Sequence, residues 1–389
     1  MHRITFAALA AMLACPILAA NAQANTSAEV WQLQASGTTA GLRGIFSVDG
    51  NVAWASGTGG AVLRTIDGGA HWQHCATPDA DKDGTTLDFR GVQAWDADTA
   101  IIMASGPSDK SRLYKTTDGC KTWKLLATND DKDGFWDALR MWTPTDGFLV
   151  GDPVGGHFYF AEAVKYLGQF VNGGFFEQGT MKTIGKGESA FAASNSNIAL
   201  GPFTEKEGTA REVWFAVGGI RGSRVIHFQH FNGGEPERMA LSSVSLPVFP
   251  KSQSGGIFSI GFHDAHRPFT EIFFRGGGGT DRPNWDLVAV GGDYTKPNDS
   301  TGTAAFTLDG GSTWTASTTP PHGYRSTVQY SESDKAWFTA GTNGSDISRD
   351  DGRTWQPLDS GNWNALSLPY IVGPNGRIAK LNPSALPKP

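Results

Sequence analysis

The chain has 389 residues and a formal net charge of −6. It contains neither a basic stripe nor a basic run, which excludes nucleic acid and anionic lipid as the main partner class. Glycine and tryptophan are abundant, with 50 and 13 residues, and long helical periodicity is absent beyond an N-terminal apolar run. Many turns and many packed indole rings are typical of an all-β repeat fold.

The N-terminus has the composition of a secretory signal peptide. Arg3 is followed by an apolar run from Ile4 to Leu18 and then by Ala20-Asn-Ala22. The run is too short to span a bilayer, and no later run is long enough. We expect cleavage after Ala22, which removes residues 1–22 as signal peptide. The mature protein, 23–389, is then expected to be periplasmic or secreted.

A short motif, S/T-x-D-x-G-x-x-W, occurs four times. The copies are Thr65–Trp72, Thr116–Trp123, Thr307–Trp314 and Ser348–Trp355. It predicts a hairpin end in which Asp accepts hydrogen bonds from backbone N–H groups, Gly takes a left-handed turn position and Trp packs beneath the turn. This structural role is assigned to Asp67, Trp72, Asp118, Trp123, Asp309, Trp314, Asp351 and Trp355.

Each clear repeat contains four short strands within roughly 40–50 residues, which is typical of a β-propeller blade. The segments that read as first strands begin near Arg43, Arg90, Asp137, Glu188, Gly256, Arg325 and Asn364, which makes seven. Two turns missing from the middle of the chain are expected at 171–174 and 231–234, with Asn in place of Asp.

The last repeat ends without a fourth strand. Residues 31–37 match 355–361 in form and place, because each segment precedes a first strand. We therefore expect the N-terminal strand to pair with 377–381 and close the ring, which protects sheet edges. The predicted fold is all-β, a single seven-bladed β-propeller without a second domain. Segments predicted as long loops are 157–187, 201–211 and 263–285.

The cysteines leave two alternatives open. Cys15 lies within the signal peptide, where a lipoprotein signal ranks second to simple cleavage. Cys75 and Cys120 each lie beside a repeat turn in consecutive units. A disulfide between neighbouring units is compatible with export, and two free buried thiols are the equal alternative. Neither a CxxC motif nor a zinc-type spacing occurs.

The repeated motif and further stretches resemble a known group of propellers. The stretches are Arg43-Gly44, Arg90-Gly91, Gly151–Val154, Glu188–Ser194, Gly255–Ile260, Val290–Tyr294, Gly323–Ser326 and Gly341–Asp346. The motif is the Asp-box, or BNR repeat, of sialidases and related propellers of the WD40/YVTN-like kind. Nearly the whole mature chain resembles exported BNR proteins similar to the photosystem II stability/assembly factor family. That resemblance implies a propeller that binds or helps assemble other proteins, often without demonstrated chemistry. The photosystem role is not carried over, because nothing in the sequence indicates a photosynthetic host.

Polar residues at the starts of the first strands are expected to crowd the central axis. They are Arg43, Arg90, Asp137, Glu188, Arg325 and Asn364, joined from the second-strand loops by Asp152, Arg221, Asp293 and Tyr294, with Tyr324 beside Arg325. Like charges gathered at an axis repel. Either alternating ion pairs plug the channel, or the group binds a carboxylate, sugar or peptide segment with Arg as a bidentate partner.

The leading hypothesis is an exported, non-catalytic and monomeric propeller that binds a protein segment or a small polar or anionic ligand in an assembly or scaffolding role. The alternative is a sialidase-like glycoside hydrolase working from the same funnel. It requires three arginines on one carboxylate, a Tyr nucleophile with Glu, and an acid/base Asp. The candidates are Arg43, Arg90 and Arg325 with Glu188, Asp152, Asp137 and Tyr324 or Tyr294. The Arg-Ile-Pro sequence of sialidases is absent, and a purely structural protein with a plugged axis ranks third.

Two acidic loops, 79–84 and 129–134, have a D-x-D-x-D-G-like spacing that can surround Ca²⁺. Asp79, Asp81 and Asp83 are the weak calcium candidates. The twelfth position of each loop is Arg instead of Glu, and flanking helices are not predicted, so solvated loops are favoured. Phosphate-loop and dinucleotide fingerprints are absent, and we predict no cofactor.

Overall fold

A computed structural model describes residues 29–163, 182–183, 185–202, 210–231, 238–265 and 285–388. The strands of these residues form seven antiparallel sheets arranged in a ring, which confirms the predicted seven-bladed β-propeller. Neighbouring first strands contact one another around the ring, and the last contacts the first. Helix is limited, within the described ranges, to three 3₁₀ turns at Gly84–Thr86, Ser108–Lys110 and Pro383–Ala385.

The strands are numbered in chain order, beginning with β1 (Trp31–Gln34). Blade 1 contains β2 (Leu42–Ser47), β3 (Ala53–Gly57), β4 (Val62–Thr65) and β5 (Gln73–His74). Blade 2 contains β6 (Phe89–Ala94), β7 (Ala100–Ala104), β8 (Arg112–Thr116) and β9 (Lys124–Thr128). Blade 3 contains β10 (Trp136–Met141), β11 (Gly147–Val154) and β12 (His157–Ala163). Blade 4 contains β13 (Glu188–Ser189), β14 (Ile198–Leu200), β15 (Ala210–Gly219), β16 (Ser223–Phe231) and β17 (Arg238–Leu246).

Blade 5 contains β18 (Gly255–Asp264), β19 (Trp285–Asp293), β20 (Ala304–Thr307) and β21 (Thr315–Ala316). Blade 6 contains β22 (Thr327–Ser331), β23 (Ala336–Gly341), β24 (Gly344–Ser348) and β25 (Gln356–Asp359). Blade 7 contains β26 (Ala365–Ser367), β27 (Tyr370–Val372) and β28 (Ile378–Leu381), together with β1.

The core lies between the blades, because each sheet packs both faces against its neighbours. Every residue of β3 is buried, as is every residue of β7. Trp54 of blade 1 is fully buried against blade 2, where it packs with Phe89 and Tyr114. Apolar side chains on both faces of a strand are what burial between two layers requires.

The N-terminal strand closes the ring as predicted. β1 pairs antiparallel with β28, with Trp31 opposite Leu381 and Gln34 opposite Ile378. Trp31 is 4% exposed, and its indole N–H donates to Ser345 Oγ of blade 6 at 2.8 Å. One side chain thus joins the closing strand to the blade beside it.

The Asp-box turns fold by local hydrogen bonds, as in the third copy. Thr307 Oγ1 donates to Asp309 Oδ1 at 2.7 Å, and the same oxygen accepts the N–H of Thr313 at 2.9 Å. In the last copy this role belongs to Asp350, because Asp350 Oδ1 accepts from Ser348 Oγ and from the N–H of Thr354, each at 2.9 Å.

The assignment of Asp351 to the Asp-box is therefore wrong. Asp351 occupies the left-handed position of the turn, with φ 59°, and its carboxylate contacts Arg353 at 3.1 Å. The motif spacing agrees with this, because the other three copies carry their Asp two residues after the first Thr, and Asp351 aligns with Gly68, Gly119 and Gly310.

Cys75 and Cys120 are joined by a disulfide between blades 1 and 2. Cys120 takes the turn position that Gly69, Gly311 and Gly352 fill in the other copies. In all four copies the N–H of this residue donates to the hydroxyl of the first motif residue, at 3.0–3.2 Å. The backbone of the turn is thus the same with or without the bridge.

Strands extend into the segments predicted as long loops. β12 covers 157–163, β15 begins at Ala210, and β18 and β19 reach Asp264 and Trp285. The expected turn at 171–174 lies outside the described residues, as does 232–234 of the other one. Among the described residues no helix is long and apolar enough to cross a membrane.

Candidate functional site: the axial funnel

One local irregularity positions the axial side chains. In blades 1, 2, 3 and 5 the pairing of the first two strands skips one residue near the start of the first strand. The skipped residues are Arg43, Arg90, Asp137 and Phe258. A bulge redirects the side chain of its extra residue, so four equivalent positions present these groups together.

The glycine after each bulged arginine allows the blades to approach closely. A Cβ on Gly44 would lie 2.5 Å from Ser56 Oγ and 3.0 Å from the backbone oxygen of Arg90. A Cβ on Gly91 would lie 3.0 Å from Asn195 Oδ1. In each Arg-Gly pair of the sequence, the arginine side chain is therefore redirected by the bulge, and the glycine stands where no side chain would fit.

Arg43 and Arg90 share one carboxylate. Arg90 Nε donates to Asp88 Oδ2 at 2.8 Å, whereas Arg43 Nε lies 3.9 Å from the same oxygen. Burial lowers the pKa of Arg43, and the charge of Arg90 lowers it further, against the opposing effects of Asp88 and Tyr324. The side chains of Arg43 and Arg90 are 31% and 25% exposed. Two guanidinium groups for one carboxylate leave an accessible excess of positive charge.

Asp137 and Asp152 form a coupled carboxyl pair beside the arginines. Burial, and then the charge of Asp152, raises the pKa of Asp137 well above its usual range, and Arg90 opposes this shift. Burial raises the pKa of Asp152 to about 6, although the N–H of Ala190 donates to its Oδ1 at 3.1 Å. Because burial disfavours the ionised form of both groups, the pair offsets less of the arginine charge than two freely ionised carboxylates would.

An aromatic wall adjoins the arginines; its two tyrosines were predicted from the sequence, whereas its two phenylalanines were missed. Phe191 and Phe258 stack with ring centroids 4.1 Å apart, and the edge of Tyr324 meets Phe258 at 4.9 Å. Tyr294 also contacts Phe258, at 6.1 Å, and is 52% exposed. Burial raises the pKa of Tyr324 while the charge of Arg43 opposes it, which places the arginine beside this wall.

The floor of the funnel is closed by residues 192–196, which we call the axial plug. The inner strand of blade 4 is interrupted here, between β13 and β14, and the segment contacts four other blades. Its partners are Arg90 of blade 2, Leu139 of blade 3, Ser259 of blade 5 and Ser326 of blade 6. Only a segment on the axis reaches all four. The plug is therefore formed by backbone, hydroxyl and amide groups instead of a ring of ion pairs.

Other predicted axial residues are engaged elsewhere. Arg325 is fully buried, with Nε 2.6 Å from Asp346 Oδ2 and Nη1 2.6 Å from the oxygen of Tyr324. Glu188 is buried against Arg224 through contacts of 2.6 and 3.0 Å. These two pairs are internal ion pairs within blades 6 and 4.

The remaining predicted residues lie at the edge of the group. Asn364 Nδ2 donates to the oxygen of Leu42 at 2.7 Å and so joins blades 7 and 1. Asp293 Oδ1 accepts from Thr295 Oγ1 at 2.7 Å, inside a turn. Arg221 is exposed at the turn between β15 and β16.

The acidic loop of blade 2 is occupied by basic side chains. Arg112 Nη1 contacts Asp83 Oδ1 at 2.7 Å, and Lys110 contacts the other oxygen of Asp83. Asp79 accepts from the hydroxyl of Tyr114 at 2.7 Å, while Asp81 is exposed. No group of three His, Cys, Asp or Glu in the described part of the chain has metal-binding geometry.

Comparison with known proteins found similarity to solved structures at the level of the fold. No protein-family model matches the chain, and no curated protein matches it. The structure of YCF48 from Cyanidioschyzon merolae is similar, with 18% identity and a TM-score of 0.50, over 91% of this chain and 99% of that one. A structure of YCF48 bound to D1 peptide has 14% identity and a TM-score of 0.50, over 91% and 97%. This likeness is one of fold, and it agrees with the resemblance to photosystem II assembly factors.

Proposed function

We propose that this chain is an exported, non-catalytic propeller that binds an acidic protein segment at the funnel mouth, in an assembly role. One observation carries the proposal: Arg43 and Arg90 share the single carboxylate of Asp88 and stay accessible. A similar propeller, YCF48, has been solved with a bound peptide, which supports the same kind of partner here.

The chemistry of the funnel mouth suits a carboxylate with an adjoining apolar group. Guanidinium groups bind carboxylates through paired N–H donors. The exposed ring of Tyr294, which packs against the buried Phe258, supplies an apolar surface beside them. The axial plug closes the channel floor, so the ligand docks at the mouth and does not thread through the ring.

Glycoside hydrolysis is the second candidate, favoured by the carboxyl pair. The pKa of Asp152, raised to about 6, suits a general acid. The three-arginine arrangement of sialidases is not assembled, however, because Arg325 is buried against Asp346. A glycan-hydrolysis screen with Asp152→Asn as control tests this candidate, and turnover lost in the variant would establish it.

The binding proposal is tested with peptides. Proteins captured from a periplasmic extract are identified, and acidic peptides are synthesised from their sequences. Each peptide is made in two versions, one unaltered and one with Asp or Glu replaced by Asn or Gln. The binding of both versions is measured by fluorescence anisotropy. We expect Arg43→Ala and Arg90→Ala each to lower the affinity for the acidic peptide by roughly ten- to a hundredfold, because each substitution removes a charged hydrogen bond. Added salt should weaken binding as well.

The matched control is Arg349→Ala, an exposed arginine on an Asp-box turn, which should bind as the unaltered protein does. Equal affinity for acidic and amide peptides, or unchanged binding in both funnel variants, would leave the funnel with a structural role only.

A further inference from the structure

A second pocket lies away from the axis, on the outer half of blade 4 where it meets blade 5. Its volume is about 300 Å³. One side is formed by β15, β16 and β17, and the other by Trp285 and the Asp-box turn at 309–312. None of the residues proposed for the funnel lines this pocket, so it is a separate site.

Strand register brings the polar side chains of the pocket together. Glu212 lies opposite Gln229, and His227 lies opposite Trp214 on one side and Ser242 on the other. Directly opposite residues share one face of a sheet. The face that carries Glu212, His227 and Ser242 is therefore the face that lines the pocket.

The Glu212 carboxylate, which lines the pocket, is held in place. The Glu212 carboxylate, 9% exposed, contacts His227 Nε2 through one oxygen and accepts from Gln229 Nε2 at 2.9 Å through the other. The His227 ring stacks on Trp214 with a centroid distance of 4.6 Å and an angle of 7°. With Nε2 engaged, the remaining polar atoms of the two partners are His227 Nδ1 and Gln229 Oε1. Their orientation is fixed before any ligand arrives, which lowers the entropic cost of binding.

The lining chemistry selects the ligand class. Among the described residues that line the pocket there is no Lys or Arg, and a phosphate or carboxylate would lie beside the carboxylates of Glu212 and Asp309. The exposed hydroxyl of Ser242 adds a group that both donates and accepts. The Trp285 ring and Val225 supply apolar surface beside this polar face. A compact ring with hydroxyl groups on its edge and C–H groups on its face satisfies both surfaces.

We propose that this pocket binds a neutral sugar, a single pyranose ring or the terminal ring of a glycan. Glu212, His227 and Gln229 hold its hydroxyl groups, and the ring face lies against Trp285. The site is a binding site, and no bond is made or broken there. It gives the propeller a glycan contact on its outer wall that is independent of the peptide contact at its mouth.

The test is a titration of the full mature chain with monosaccharides, followed by saturation-transfer NMR and calorimetry. The panel contains neutral hexoses, N-acetylated hexosamines, a uronic acid and a sugar phosphate. We expect one or more neutral sugars to bind, and the two anionic sugars to bind at least tenfold more weakly. Gln229→Ala and Ser242→Ala should each weaken binding by about tenfold, the loss of one or two hydrogen bonds.

Ser245→Ala is the matched control, since Ser245 is an exposed serine of the same strand opposite Arg224, outside the pocket. It should leave sugar binding unchanged, and so should Arg43→Ala in the funnel. Circular dichroism of each variant establishes that the fold is retained. Absence of binding across the neutral sugars overturns the proposal, as does binding that Gln229→Ala and Ser242→Ala leave unaltered.

Discussion

At the scale of single residues, the carboxyl pair of Asp137 and Asp152 is the least conventional feature of the funnel. The charge of Asp152 disfavours ionisation of Asp137, and burial disfavours ionisation of both groups. Asp137 Oδ2 has no hydrogen-bond partner among the described residues. The pair therefore costs stability at neutral pH, and such a cost is common where a site serves binding.

The pair predicts a pH dependence of stability. Both pKa values are raised in the folded state, that of Asp152 to about 6, so the native protein binds more protons than the unfolded chain between about pH 4 and 6. Their contribution to the free energy of unfolding falls as pH rises through this window. Asp152→Asn should be more stable than the unaltered protein at pH 7.5, and the two should converge toward pH 4.

Urea unfolding of both proteins from pH 4 to 8 measures this difference. The comparison is needed because other aspartates, such as Asp67 and Asp118 with pKa values of about 2, make stability rise with pH. A difference that stays constant with pH would show that the pKa of Asp152 is not raised in the folded state.

The last Asp-box allows a matched pair of substitutions at adjacent residues. Asp350→Gly removes three hydrogen bonds of the turn and should lower the free energy of unfolding by about 1–3 kcal/mol. Asp351→Gly should cost little, because Asp351 has a φ of 59°, which glycine adopts without strain. Thermal unfolding of the two variants distinguishes them, and equal destabilisation would contradict the assignment to Asp350.

At the scale of elements, the closing strand β1 determines whether the ring is complete. Without it β28 would present an open edge, and such edges pair with other chains. The strand is short and its ends contact different blades, since Trp31 reaches Ser345 of blade 6 while Gln34 accepts from the indole of Trp72 in blade 1 at 3.0 Å.

Trp31→Ala should therefore lower the free energy of unfolding by about 3–5 kcal/mol, the usual cost of removing a buried tryptophan. Leu33→Ala in the same strand is the control, because Leu33 is 60% exposed, and its change should stay within about 0.5 kcal/mol. Chemical denaturation measures both, and light scattering should detect association only in the first. A tolerated Trp31→Ala would mean that the ring holds without this strand.

At the scale of the whole molecule, the ring is restrained at two places. The disulfide links blades 1 and 2, and the closing strand β1 completes blade 7. The bridge closes a loop with a sequence separation of 45 between Cys75 and Cys120. A cross-link of that length contributes about 4 kcal/mol in the chain-entropy model. The bridge joins blade 1 to blade 2, whereas β1 belongs to the sheet of blade 7.

Reduction of the bridge should accordingly lower the melting temperature. The variant Cys75→Ala/Cys120→Gly should melt at the temperature of the reduced protein and be insensitive to reductant, since glycine fills the position of Cys120 in the other three Asp-box turns. Scanning calorimetry with and without dithiothreitol measures both. If reduction left the melting temperature unchanged, the bridge would add no stability to the ring.

The fold was predictable from the sequence because its information is local and repeated. Each Asp-box predicts a turn from residues within the motif itself, and the seven first-strand segments predict the number of blades. Even the closing strand follows from sequence, since Trp31 occupies the place that Trp355 holds before the next blade. The signal peptide and the export that it implies stay predictions.

The site was not predictable in the same way, because it is made by contacts between distant blades. Sequence alone marks Arg43, Arg90 and Arg325 as equals, yet only the folded ring sends Arg325 into a buried pair with Asp346 and leaves the other two around Asp88. The axial plug and the phenylalanines of the aromatic wall carry no local signal, since an interrupted strand and a bulged phenylalanine are distinctive only through their partners. Local hydrogen bonds and periodicity determine the blades, whereas burial and charge across the ring determine which polar groups remain free to bind.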